Sequence, residues 1–419
     1  MAMPSRESAN QQVLDRMRGA EPILVDVAPA IEVVPGFTKD TILTSGPRLP
    51  WAEYTGGQKA ALIGAARFEK LAATAAEAEA RFAAGEILIR GCQELNCVGS
   101  LAGVYSASMA VFVVRERASG LEAYCNFYEG SNPKRLNYGV YDREVHDRLV
   151  VINEQIAPIL RRVVRDSGEI ALKPLMVRAL HMGDELHSRN TAAALLFMRE
   201  LVPAMLAAAA TARDESMRLV EALTEDHYFF LRLSMAAAKV TAMAGENVPG
   251  SSVVSAMAFN CRNFAVRLAC APERWFVGPA AKVDAVFFPG HGPDELTWMG
   301  GESPIIETIG LGAFSQAAAF PLLRYQGGAA KVMVERNEAM YRITVGEHDD
   351  YRIPYFEYRG SPVGIDAFKV VETGILPLMN IGIAGRNGGQ IGAGSVMAPM
   401  ECFAAAVDFH RRQYATTPD

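Results

Sequence analysis

The sequence predicts a mixed α and β protein in three portions, and three observations carry that reading. An alanine-rich start is followed by β-branched runs, the middle shows long stripes of 3.6-residue period, and the end alternates short apolar runs with glycine-rich loops. We read an N-terminal α/β portion over 1–143, a helical portion over 144–275 and a C-terminal α/β portion over 276–419. In the first portion, apolar residues at helical spacing over 55 to 84, closed by a glycine, predict two helices. The runs ILIRG, GVYSASMAVFVVRE and LEAYCNFYEG then have the branched and aromatic content of strands. The stripes VHDRLVVINEQIAPILRRVV and MRLVEALTEDHYFFLRLSMAAAKVTAMA predict amphipathic or buried helices. After Trp275 come AVFFPGHG, GGESPIIETIGLGAF, EYRGSPVGID and IAGRNGGQIGAGS, where glycine punctuates every apolar run.

Composition narrows the function. A chain of 419 residues, half of them apolar, buries a large core. A net charge of -6 supplies no basic field, which argues against nucleic acid and leaves a small molecule as the expected partner. The N-terminus lacks the apolar stretch of a secretory signal, so a cytoplasmic location is expected. The longest uncharged apolar run, Leu201 to Ala212, is too short for a membrane span and contains Pro203, so it reads as a buried helix. Six cysteines without CxxC pairs read as reduced, mostly buried thiols. No GxxxxGK[ST] loop, strand-linked GxGxxG, GxSxG elbow or HExxH is present. No cofactor is evident from any known cradle.

The densest polar cluster is HMGDELHSRN, with His181, Asp184, Glu185, His187, Arg189 and Asn190 between the apolar stretches KPLMVRAL and TAAALLFMREL. On a helix, the two histidines and two carboxylates would fall within one arc of about 160°. That grouping suits acid/base work or a metal. The plainer alternative pairs Arg189 with Asp184 or Glu185 and leaves the histidines as satisfied core residues. A second cluster, Glu225, Asp226 and His227, precedes an apolar helix that contains Lys239, which either snorkels or pairs with a buried anion. Gly250, Ser251 and Ser252 read as a helix start whose free N–H groups and hydroxyls could take a carboxylate or phosphate. In the last portion Glu302, Ser303, Glu307, Arg359, Ser361, Asp366, Glu372, Asn380, Arg386, Gln390 and Glu401 lie among glycines that let backbone approach a ligand.

Taken in order, LAGVYSASMAVFVV, LEAYCNFYEG, ALHMGDELHSRN, DHYFFLRLSMAAAKVTA, GSSVVSAMAFN, YRGSPVGID, ETGILPLMNIGIAG and GQIGAGSVMAPMECF resemble the YlbE-like (AllG-like) family over nearly the whole chain. The resemblance implies the oxamate carbamoyltransferase of allantoin degradation, which cleaves oxalurate with phosphate to oxamate and carbamoyl phosphate. It also implies companion subunits and phosphate as co-substrate, and it marks His181, Asp184, Glu185, His187, Arg189 and Asn190 as site residues. The STRT and HPxQ segments of aspartate and ornithine carbamoyltransferases are missing, so the site would differ from theirs. Asn96 and Cys97 stand where the family is expected to carry more His and acidic character, and SLAG replaces a PMAG-like sequence, so a different substrate is expected.

The expected activity is therefore transfer or cleavage at a C–N bond of a small ureide or related nitrogen compound. His181 or His187 with Glu185 or Asp184 would be the acid/base, Ser251 and Ser252 the anion donors, and Arg189 or Arg359 the clamp. Asn190, Ser361, Asp366, Asn380, Gln390 and Glu401 complete the expected substrate contacts. The alternatives are hydrolysis, as an amidase or ring-opening enzyme, and a non-catalytic subunit of a larger carbamoyltransferase. A homo-oligomer is the expected assembly.

Overall fold

The computed structural model describes residues 5–225, 228–281 and 283–414. It has the mixed α and β architecture that the patterning predicts, built from several small sheets around one fully buried helix.

That helix, Phe229–Ala244, is apolar apart from Arg232, Ser234, Lys239 and Thr241, and each residue from Phe229 to Met243 is buried. A helix of that kind can only sit inside a protein or a membrane. Here strands Ala110–Glu116 and Glu122–Asn126 cover one side, and helices Arg6–Gly19, Leu172–His181, Thr191–Ala209 and Ile305–Thr308 cover the others. Phe112, Phe127, Phe197 and Phe230 close around Phe229 and its turn, with ring centroids 4.7 to 6.3 Å apart in stacked and edge-on pairs.

The covering strands belong to a five-stranded sheet in the order Cys97–Val98, Glu122–Asn126, Ala110–Glu116, Pro22–Pro29 and Ile170–Ala171. Only its first pair is parallel, and a bulge between Leu24 and Asp26 bends Pro22–Pro29. The two helices expected over 55 to 84 are Gly56–Phe68 and Ala75–Ala84, the second ended by Gly85 at φ 73°. All six cysteines are free thiols, five of them buried.

Two corrections follow from the structure. Gly250, Ser251 and Ser252 do not start a helix but lead into strand Val254–Phe259, the edge of an antiparallel sheet with Asn263–Leu268 and Ala271–Pro279. Leu201 to Ala209 continues helix Thr191–Ala209 through Pro203, and this helix is half covered rather than buried, with Val202 44% and Leu206 70% exposed. Among the described residues it is the one helix long and apolar enough to cross a membrane.

The N-terminal helix Arg6–Gly19 is tied to the C-terminal portion by one buried amide. Asn10 Oδ1 accepts from Ser251 Oγ at 2.9 Å and from the Ser252 amide at 2.8 Å, while its Nδ2 donates to Ser252 Oγ at 3.0 Å. Ser252 Oγ donates to Asp366 at 2.7 Å, and the same carboxylate caps helix Ala367–Thr373 at the Phe368 amide. Removing Asn10 would leave two buried donors, the Ser251 hydroxyl and the Ser252 amide, without their acceptor, each a cost of about 1–3 kcal/mol. Asn10→Ala is therefore expected to lower the free energy of unfolding by about 2–3 kcal/mol in urea titration without altering ligand affinity. A loss under about 0.5 kcal/mol would show that water replaces the amide.

Candidate functional site

The polar segment at the centre of the chain is a turn, not a helix. Helix Leu172–His181 ends at its first histidine, Gly183 takes φ 97°, and Leu186 takes φ 72° with its side chain fully buried. A left-handed leucine is unfavourable. What holds it is the neighbouring carboxylate: Glu185 accepts from the backbone N–H groups of His187, Ser188 at 2.6 Å and Arg189 at 3.1 Å. Asp184 serves the next element, accepting the Ala193 amide at 2.9 Å in the first turn of helix Thr191–Ala209, where an anion complements the helix dipole.

The histidines and carboxylates of this segment consequently do not share one helical face. His181 is exposed and lies edge-on to Tyr358, with ring centroids 5.3 Å apart. Arg189 pairs with Asp184 at 3.3 Å and donates to the Gly183 carbonyl, so the plainer reading holds for that pair. Asn190 is buried beneath the turn, donating to the His187 carbonyl at 3.0 Å. His187 is different: its Nδ1 lies 2.8 Å from Glu307 Oε1, and both side chains are buried.

Glu307 comes from the short helix Ile305–Thr308, and its Oε1 also accepts the amides of Ala313 and Asn380 at 3.1 Å each. A Cβ on Gly312 would stand 2.2 Å from that oxygen, so glycine is needed for the close approach. Asn380 adds a second link through its Nδ2, 3.4 Å from Glu185. Burial opposes the charged imidazolium of His187, but the charge and hydrogen bond of Glu307 outweigh it and hold the pKa above the usual histidine value. Burial pushes Glu185 up to about 7, and the charge of Glu307 adds to the rise.

With Nδ1 engaged, Nε2 is the ring nitrogen left for the cavity of about 210 Å³ that His187 lines. Arg135 and Arg232 line it too, with Ser100, Ser131, Ser188 and Ser303, and the described lining residues include no Asp or Glu. Arg232 sits on the central helix, 5% exposed, and among the described residues its Nε and Nη1 have no hydrogen-bond partner. Arg135 stands 4.4 Å from the Tyr138 ring centroid and donates to the Gly130 carbonyl at 3.2 Å. Its loop is held by Glu129, which accepts from the Leu136 and Asn137 amides at 2.6 and 3.0 Å. Gln390 closes one wall, its Oε1 3.3 Å from the Tyr138 hydroxyl.

A third buried carboxylate fixes the cavity's far side. Glu302 accepts the Gly46 and Gly99 amides at 3.0 Å each, which clamps the 99–101 loop to the 300–303 loop, and both loops line the cavity. Burial raises its pKa to about 7, although those two amides, Arg267 and Lys239 favour the charge. Lys239 pairs with Glu246 at 3.6 Å, which settles its burial in favour of an anionic partner over snorkelling.

Other expected site residues lie elsewhere. Ser251, Ser252 and Asp366 belong to the Asn10 network, Arg359 is exposed and paired with Glu347, and Glu401 is exposed on the last helix. Ser361 is buried near Gly310, where a Cβ would come within 2.8 Å of its hydroxyl. Asp226 and His227 lie outside the described residues. No three His, Cys, Asp or Glu side chains converge as metal ligands among the described residues.

The fold and this cavity define a protein with two arginines lining a cavity beside a buried histidine–carboxylate pair. The family model for oxamate carbamoyltransferase subunit AllG matches residues 87–303. The chain is 35% identical to the oxamate carbamoyltransferase subunit AllG of Escherichia coli K12 over 405 residues, 96% of each chain. It is 38% identical to the uncharacterised protein YahG of the same organism over 402 residues, 96% of this chain and 85% of that one. A crystal structure of a conserved Enterococcus faecalis V583 protein of unknown function superimposes with a TM-score of 0.94 at 34% identity, covering 97% of this chain and 98% of the other. The chain belongs to the AllG family of oxamate carbamoyltransferase subunits.

Glu302 makes a pH prediction. Its folded pKa of about 7 exceeds the ordinary carboxylate value of 4.5, so its contribution to stability is full below about 4.5 and is lost as pH rises through about 7. The stability gap between the wild type and Glu302→Gln should therefore shift against the wild type by up to about 3 kcal/mol from pH 4.5 to 8. A gap that denaturant titration finds constant across that range would show Glu302 stays ionised throughout.

Proposed function

We propose that this chain binds a small anionic ureide in the Arg135–Arg232–His187 cavity and takes part in carbamoyl transfer. The observation that carries the reading is Arg232, a buried guanidinium lining a cavity whose described walls hold no carboxylate. A buried cation with two nitrogens unpartnered among the described residues is expensive, and a bound carboxylate or phosphate would pair with it.

In the reaction this supports, the carbamoyl carbon of an oxalurate-type substrate bonds to a phosphate oxygen as its bond to the amide nitrogen breaks. His187 Nε2 gives the departing nitrogen its proton, and the proton of the entering hydrogen phosphate restores the imidazole. The products are an oxamate-type amide and carbamoyl phosphate. Glu307 is a positioning residue: it holds the ring by Nδ1 and favours its charged form. Glu185 shapes the turn, since its oxygens are taken up by backbone amides. Membership of a family named for a subunit supports companion chains in the working enzyme.

Arg232→Met should raise KM for the ureide roughly 10- to 100-fold, the value of one charge-assisted contact. His187→Gln should lower kcat by roughly 10²–10⁴-fold at unchanged thermal stability. Glu307→Gln should move the basic limb of the kcat profile to lower pH, because the charge that raises the histidine's pKa is gone. The measurement is carbamoyl phosphate formed by the chain with its companion subunits. Turnover that survives His187→Gln would sink the acid/base assignment, and product in phosphate-free buffer would mean hydrolysis.

A further inference from the structure

Beside the cationic cavity lies a smaller hollow of about 30 Å³ with a different chemistry. Its own walls are Val283, Leu296, Trp298, Met299, Ile383 and Ala384, with Thr297 as the one hydroxyl and no charged side chain. Leu101, Phe259, Gly300, Ile381 and Gly382 wall both spaces. Two of these five are glycines, so no side chain at those positions stands between them.

A single water needs roughly 10–15 Å³ of such space, so the hollow has the size of one or two carbon atoms. The Thr297 amide is already bound to the Ala384 carbonyl at 3.1 Å. A carbamoyl or carboxylate group pushed into these walls would leave polar atoms unpaired, whereas an alkyl group would gain by leaving water. We propose that the anion bound by this chain carries a compact aliphatic substituent of one or two carbons, seated in this annex. The inference rests on the reading of the larger cavity as the ligand site. It distinguishes this chain's ligand from oxamate and oxalurate, neither of which has an aliphatic carbon.

The test is calorimetric titration of the full chain with oxamate, N-methyloxamate, N-ethyloxamate and N-hexyloxamate, and with glyoxylate, pyruvate and 2-oxobutanoate, which hold the alkyl group one atom nearer the carboxylate. In one of the two series, affinity should rise about fourfold for each of the first two carbons. The hexyl chain, too long for the annex, should lose that gain. Ala384→Leu, which fills the annex from a wall of its own, should bring the ratio of alkylated to parent affinity to about one. Oxamate bound with no gain in either series overturns this inference alone. Failure of every probe, oxamate included, overturns the ligand reading of the cavity and this inference with it.

Discussion

Burying carboxylates without leaving them unpaired is the constraint around which the site is arranged. Glu185, Glu302 and Glu307 are all inaccessible, and each is held mainly by backbone N–H groups, those of its own turn for Glu185 and those of segments distant in sequence for Glu302 and, at Asn380, for Glu307. A backbone donor brings no countercharge, so it must be aimed by the chain that carries it. That requirement fixes the left-handed turn at Leu186, the glycines at 46, 99 and 312, and the strand Leu378–Ala384 at Asn380. The cavity is the space these anchored segments leave between them.

The central helix supplies the opposite sign. Phe229–Ala244 buries Arg232 and Lys239 on one face, about two turns apart, and their fates differ. Lys239 meets Glu246 and lies within the field of Glu302, so its charge is answered inside the protein. Arg232 points toward the cavity with two nitrogens unanswered among the described residues. One cation is structural, and the other is the one our proposal assigns to a ligand. The distinction comes from what packs against the helix and not from the helix itself.

This is why the sequence is legible in some places and opaque in others. The helices over 55 to 84 and the strands before Glu144 follow from residue period and glycine punctuation, which are local. Charge interrupting an apolar stretch marked HMGDELHSRN as buried polar structure, and His187 and Glu185 are indeed buried there. Treating the segment as helix misjudged it, because the φ of Leu186 is set by Glu185 folding back on its own turn. Ser251 and Ser252 looked like anion donors, but their partner is Asn10, some 240 residues away. Arg359 looked like a clamp, and Glu347 across the strand pair occupies it. Arg232 carried the same signal as Lys239, a cation inside an apolar helix. Arg135 sat in a loop with nothing to mark it. Both become site residues only when the 128–139 loop and the helix are brought to the same cavity.

The unanswered guanidinium also sets how occupancy must act on the fold. A cation out of water raises the free energy of the empty native state, and an anion that pairs with it removes that penalty as it binds. Binding energy is then divided between affinity and relief of the empty protein. Ligand therefore stabilises the native state beyond its contacts with the walls, and the stabilisation grows with free ligand concentration by mass action. His187 belongs to the same balance, since an anion near Nε2 favours the imidazolium that Glu307 already favours from Nδ1. Under the proposed reaction, anion binding and proton uptake at the ring would thereby be coupled, and a substrate carrying negative charge into the cavity would charge the acid that its own departing nitrogen requires.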